Sequence, residues 1–354
     1  MKHVQAKKGV SRFKILSLSI GLVALLLIQA CGNKDTTDTA DSADSAAPAA
    51  SAATQDSAAP AKTDIPKALH IGYIGASSVN LPSLAEGWGF KSGIISDELK
   101  KQGITEITFT GFPNGPDLTE SLISGRLDVG LLGDTPAILA RSNGAKTRLI
   151  AQQVVVLDAY IIGKKGGVKT IAELKGKKVA TQKGSYMHRY AAGLLKEQNV
   201  DVKLIHLLAP DAEAALVKGD IEATTVASAN AVKLIAQGYP VLDHEADHAN
   251  LVGTSTTVVT EDYLSKFPGF PKLWNDLRKQ SLADLKTKED DYYKFATSLG
   301  KLPEETVRQA SPISSIAEEP FSDAGIQLLE GTKKFLIEEK LAENDFDLNA
   351  WILK

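Results

Sequence analysis

From Leu69 onward, short apolar runs alternate with stretches in which apolar residues return every three or four positions. The runs LHIGYI (69–74), EITFTGF (106–112) and LDVGLL (127–132) have the length and side-chain type of buried strands. One helix is predicted to end at Lys101 and another to start at Asp117. A second series begins near Lys178: KVATQ, a helix from Ser185, VKLIHLL, a helix from Asp211, then IEATTV. Strands alternating with helices predict an α/β fold, with parallel or mixed sheets covered by helices. Beyond Glu261 the pattern is mostly helical, as in FPGFPKLWNDLRKQSLADLK and DAGIQLLEGTKKFLIEEKL, and these are read as packing helices without chemistry.

The two series echo each other. SLISGRLDVGLLGDTPAI (121–138) aligns without gaps on ALVKGDIEATTVASANAV (215–232), matching Leu122 to Leu216, Gly125 to Gly219 and Leu127 to Ile221. Each copy reads as helix, glycine stop, buried strand, tight turn and next helix. The offset is too long for a solenoid repeat and suits one small lobe. Chance similarity between two βα units is the competing explanation, and it too requires α/β lobes.

The first 66 residues follow neither pattern. Lys2, Lys7, Lys8, Arg12 and Lys14 precede a continuous apolar stretch, Ile15 to Ala30, shorter than the roughly 20 residues that cross a bilayer as a helix. Residues 1–30 read as a signal sequence. The single cysteine, Cys31, closes the run LIQAC, which resembles a bacterial lipobox whose thiol is acylated; Gln29 departs from the small residue usual there. Residues 31–66 are low-complexity Ala, Ser, Asp, Thr and Pro, too poor in apolar surface to fold, and read as a tether reaching about 30 Å if it behaves as a flexible coil. With no second cysteine, disulfides and cysteine metal clusters are excluded. Removing residues 1–30 takes the formal charge from −3 to −8, which argues against binding nucleic acid.

The candidate chemistry lies in turns. IGASSVN, LLGDTPAI and TQKGSYMH each carry Gly, Ser or Thr where a strand's C-terminal end meets a helix. None is the G-x-S-x-G elbow of a hydrolase, no Walker-type loop occurs, and neither catalytic residues nor a cofactor is expected. Pro136 suits a first helical turn, and Ser185 can cap the helix that follows it. Free amides and a positive dipole end make such termini anion sites, and ligands of open α/β sheets sit beyond the strand C-termini. Two such termini, at Thr135 and Ser185, could hold one small anion from facing lobes. The alternative is that Ser and Thr only cap their own helices.

GFPNGPDLTESLISGRLDVGLLGDTPAI, then TIAELKGKKVATQKGS, then LLAPDAEAALVKGDIEA, in that order and spacing, resemble the solute-binding proteins of ABC importers for aliphatic sulfonates, taurine and nitrate. The resemblance runs from about Leu69 to Val226 and loosely beyond. It implies a two-lobed, periplasmic-binding-protein-like fold of type II, each lobe a mixed sheet flanked by helices. Lobe 1 would be 67–160 plus 252–354 and lobe 2 would be 161–251, closing on ligand about a hinge. It nominates Ser77, Ser78, Gly133, Asp134, Thr135, Gly184, Ser185, Tyr186, Ser228 and Asn230 as ligand-binding. Its implied partners are a small anion, permease and ATPase subunits, and a membrane reached through lipid on Cys31 of an exported monomer. Where family members often carry a tryptophan-aspartate-proline turn, this chain has Ala227-Ser228-Ala229, which leaves room for a bulkier ligand and removes a partner for an amine.

One motif points elsewhere. His244-Glu245-Ala246-Asp247-His248 spells the H-E-x-x-H of zinc peptidases. A zincin sets those letters in a long helix with an apolar face, whereas Pro240 and Gly253 leave one short helix at most, and no third ligand is evident. The expectation is a loop over 243–250 and no metal. The reading of the whole is a binding protein that makes no bonds, with a sulfonate-like anion as ligand. Nitrate, taurine and a thiamine-pyrimidine precursor are its alternatives, and a zinc hydrolase is the remote one.

Overall fold

The computed structural model describes residues 65–353. The segment read as a signal sequence, Cys31 and nearly all of the segment read as a tether lie outside the described residues. Among the described residues ten strands form two five-stranded sheets. The first contains β1 (Ala68–Ile74), β2 (Glu106–Phe112), β3 (Val129–Gly133), β4 (Thr147–Ala151) and β10 (Ser255–Thr260), in the order β2-β1-β3-β10-β4. The second contains β5 (Ala159–Gly163), β6 (Lys178–Thr181), β7 (Lys203–His206), β8 (Ala223–Ala227) and β9 (Val241–His244), in the order β7-β6-β8-β5-β9.

The two orders are the same pattern. In each sheet four strands run in one direction and a single strand runs against them: β10 is antiparallel to β3 and β4 as β5 is to β8 and β9. The internal echo in the sequence is therefore a repeat of topology. Gly125 and Gly219, matched in the alignment, both take left-handed φ (72° and 78°), and the matched Gly133 and Ala227 open their helices with φ −72° in both cases. The chain passes between sheets twice, over 152–158 and over 245–254.

Thirteen helices cover the sheets: α1 (Leu84–Lys91), α2 (Ile94–Lys101), α3 (Gly115–Ile123), α4 (Asp134–Ser142), α5 (Tyr186–Glu197), α6 (Ala209–Lys218), α7 (Ser228–Ala236), α8 (Glu261–Lys266), α9 (Phe270–Thr287), α10 (Glu289–Leu299), α11 (Glu304–Ala310), α12 (Asp323–Glu338) and α13 (Leu348–Trp351). On one face of the first sheet, Phe270, Trp274 and Leu277 of α9 pack on Leu69, Ile71 and Val129. On the other, Leu118, Leu122 and Ile138 join Leu329, Leu336 and Trp351. The second sheet is covered by Tyr190 and Leu194 of α5 and, opposite, by Leu216 and Leu234. The helical third beyond Glu261 thus completes the first lobe. None of the described helices is long and apolar enough to cross a membrane.

Two departures from the sequence pattern are instructive. The apolar run VKLIHLL gives a strand that stops at His206, because Leu207 leaves the sheet to face the space between the lobes and Leu208 opens α6. In place of a loop over 243–250, Asp243 and His244 end β9 and a single 3-10 turn spans Glu245–Asp247.

Candidate functional site

A cavity of about 410 Å³ lies between the two sheets, within the range of small-molecule sites. Helices α1 and α3 to α7 all start on it: Ser83, Asn114, Gly133, Ser185, Ala209 and Ala227 are lining residues from their first turns or caps. This convergence follows from topology, since each βα turn sits at the C-terminal end of its strand and the two sheets point those ends at each other. Among the described residues, the lining contains no Lys, Arg, His, Asp or Glu side chain. Any charge complementarity must come from dipoles and amides.

The helix openings are not equivalent. In α5, Ser185 caps by accepting from the His188 amide (3.2 Å), while the amides of Tyr186 and Met187 have no protein acceptor among the described residues; both residues line the cavity. In α3 the Asn114 side chain takes the Asp117 amide (2.8 Å), which leaves the Gly115 amide unclaimed on the lining. In α4 the Asp134 amide donates to the Thr254 carbonyl (2.8 Å) and the Thr135 amide to the Asp134 carboxyl (2.5 Å). The opening at Thr135, expected to receive an anion, is thus closed by its own first residue.

The nominated residues divide accordingly. Gly133, Ser185, Tyr186 and Asn230 line the cavity, and Ser77 lines a smaller hollow beside it. A Cβ on Gly133 would lie 3.6 Å from the Tyr186 ring, so the GDTP and KGSY turns face each other. Tyr186 presents its ring, because its hydroxyl donates to the Asp158 carbonyl (3.3 Å). Burial, with Glu245, Asp158 and Asp134 nearby, holds that phenol well above its usual pKa.

The others do structural work. Asp134, fully buried, also accepts from the Thr254 amide (3.1 Å) and the Thr332 hydroxyl (2.9 Å), tying α4 to β10 and α12; Thr135 donates its hydroxyl to Asp134 (3.1 Å). Ser78 fastens the turn after β1 to the end of α10 by donating to the Ser298 carbonyl (2.5 Å) and, from its amide, to Leu299 (3.1 Å). Ser228 donates to the Ala310 carbonyl (3.0 Å), holding α7 against α11. Gly184 takes φ 77°, and a Cβ there would come within 2.8 Å of Pro116 on the facing lobe, so this glycine permits both the turn and the close approach.

Sequence reasoning missed Ser83 and Gln153. Their side chains, like that of Asn230, line the cavity with no hydrogen-bond partner among the described residues. Gln153 sits in the first crossover, where no strand or helix pattern marks it. Its backbone is held by the Ser255 hydroxyl (3.0 Å) and by Arg278 (3.3 Å), itself buried beside Glu86 (3.2 Å).

The H-E-x-x-H letters do not share a helical face. His244 pairs with Asp158 (2.5 Å) and stacks on Tyr160 (centroids 4.1 Å apart), whereas His248 pairs with Asp243 (2.9 Å), which also takes the Tyr190 hydroxyl. Among the described residues no three His, Cys, Asp or Glu side chains gather as a metal site requires. Glu245 is fully buried, accepts from the Gly253 amide (3.3 Å), and is pushed up to about 9 by burial, against the pull of Arg189.

Comparison with known proteins agrees with this geometry. Residues 100–269 match the family model described as NMT1/THI5 like. The match covers just under half of the chain. It runs from the end of α2 to the start of α9 and includes the second sheet entire. A putative aliphatic sulfonates-binding protein of Escherichia coli K12 is 31% identical over 177 residues; the match spans 48% of this chain and only about half, 51%, of that relative. The alkanesulfonate-binding protein SsuA of Xanthomonas axonopodis pv. citri, solved bound to MOPS, superposes with a TM-score of 0.68 at 21% identity, covering 82% of this chain and 99% of that one. The desulfurization enzyme DSZB shares the architecture as well (TM-score 0.61, 15% identity, 80% of this chain and 96% of that one), so the fold by itself does not separate binding from catalysis. The chain has the two-lobed α/β fold of periplasmic binding proteins.

Proposed function

We propose that this protein is the extracytoplasmic binding component of an ABC importer, held at the membrane by lipid on Cys31. Its ligand is a small organic anion of the aliphatic sulfonate type. The observation that carries this is the cavity: six helix openings around one space with no charged side chain on its wall. A singly charged, weakly hydrated oxyanion suits neutral donors of this kind. Tyr186 and Met187 offer amides, Gln153 and Asn230 side-chain amides, and the apolar wall accommodates an organic tail. The names of the relatives point the same way. Nothing in the wall is arranged as nucleophile and base, which favours capture over turnover.

A thermal-shift panel on the exported protein tests the ligand. Ethanesulfonate is expected to raise the melting temperature, by the mass-action stabilisation any native-state ligand gives. Gln153→Ala and Asn230→Ala should each weaken binding about tenfold, a loss of about 1.4 kcal/mol. A rise with nitrate, taurine or an aminopyrimidine and none with sulfonates would replace the sulfonate by that compound.

A further inference from the structure

Adjoining the interlobe cavity is a second hollow of about 250 Å³. The two share one stretch of wall, formed by Tyr73, Ile74, Gly75, Ser83 and Leu84, so the smaller opens beside the larger rather than elsewhere on the surface. The rest of its wall comes from the turn after β1 (Ala76, Ser77 and Leu81), from α10 and α11, chiefly Ala296, Leu299 and Val307, and from Ala229 on α7 of the other lobe. Every polar side chain on it is a hydroxyl, and none is charged.

Two features mark this hollow as built. Leu84, at the shared wall, holds φ 64°, and Asn80 just before it holds φ 49°. Left-handed backbone at a bulky residue is strained, and it persists only where surrounding contacts impose it. Here the segment is pinned by Ser78 to Ser298 and Leu299 and by the Asn80 side chain to the Phe109 carbonyl (3.1 Å). In addition, the β8–α7 turn brings small residues to the junction: Ala227 lines the larger cavity and Ala229 the smaller. A large side chain at either position would take up the space between them.

We propose that the smaller hollow is a tail subsite, and that the ligand carries a medium-length alkyl chain or an aryl group seated there while its anionic head occupies the interlobe cavity. The proposal rests on the anion reading given above for the head. Because Ala229 belongs to one lobe and Ala296, Leu299 and Val307 to the other, a tail in the hollow touches both and favours the closed arrangement. The driving force is burial of apolar surface, worth about a fourfold gain in affinity per methylene.

Titration calorimetry of the full chain with sodium 1-alkanesulfonates of two, four, six and eight carbons tests it. The wild type is expected to bind the longer chains progressively tighter, approaching fourfold per added methylene. Ala296→Phe, which fills the hollow from α10, should leave ethanesulfonate binding within about twofold and abolish the gain for octanesulfonate. Val307→Phe fills it from α11 and serves if the first variant fails to keep the wild-type melting temperature. Equal affinity for short and long chains, or a full gain retained in both variants, overturns the tail subsite and leaves the anion reading standing. Failure of every sulfonate to bind overturns both.

Discussion

At Glu245 the local chemistry opposes the motif that contains it. The carboxyl is fully buried at the second crossover beside Arg189, and burial raises its pKa to about 9. The unfolded chain releases this proton near 4.5, whereas the folded protein keeps it until about pH 9. Within that window the unfolded state binds fewer protons, so this group's contribution to stability is greatest below 4.5 and falls as pH rises. Glu245→Gln has no proton to lose. Its melting temperature relative to wild type should therefore climb between pH 5 and pH 9; a flat difference would mean that Glu245 is ionised in the folded protein. Asp134 teaches a related lesson. As the first acidic letter of GDTP it reads as a ligand contact, yet its oxygens are spent on Thr135, Thr254 and Thr332. A sequence marks which residues can accept hydrogen bonds but not which donors reach them first.

Among the elements, helix openings decide how the lobes meet. The turn before α5 and the first turn of α3 approach each other, with the Gln182 side chain donating to the Pro113 carbonyl (2.6 Å) and Gly184 against Pro116. Gly184→Ala combines left-handed strain of about 1–2 kcal/mol with a methyl group driven into Pro116. The strain acts whether or not ligand is present, whereas the clash acts only when the lobes are closed. Ligand affinity is expected to fall about tenfold while the melting temperature of the free protein drops by a few degrees. Pro116→Ala in the same chain should restore part of the affinity but none of the backbone strain, a comparison a double-mutant cycle makes directly. Strand periodicity made β1, β2, β3, β6 and β8 legible. It did not single out β4, β5 or β9, whose four or five residues are too few to set up a periodicity, although glycine turns at Gly144, Gly166 and Gly238 flank them.

For the whole molecule, the wall of the cavity sets the electrolyte dependence of binding. With no charged side chain on the lining, an anion is held by fixed dipoles and short-range hydrogen bonds, which added salt screens little. Its affinity should change less than threefold between 50 and 500 mM sodium chloride. A fall of tenfold or more would mean that surface lysines, not helix openings, attract the ligand. The exposed ion pairs, such as Lys279 with Glu319 and Lys272 with Asp276, lie outside the cavity wall and are of the kind that adds little to stability.

The sequence by itself determined the class of fold, its duplication, and the turns from which a site could be made. Those follow from short-range physics: side-chain periodicity, glycine at left-handed positions such as Gly125 and Gly219, and a capping residue such as Ser185. Only the tertiary structure decided which turns offer free donors, that Gln153 and Ser83 stand among them, and that HEADH ends a strand instead of lining a helix. Those outcomes depend on partners distant in the chain, such as Thr254 for Asp134, Ser255 for Gln153 and β5 for His244. Competition for a donor or for space is settled only when such distant segments pack together, and local pattern carries no record of it.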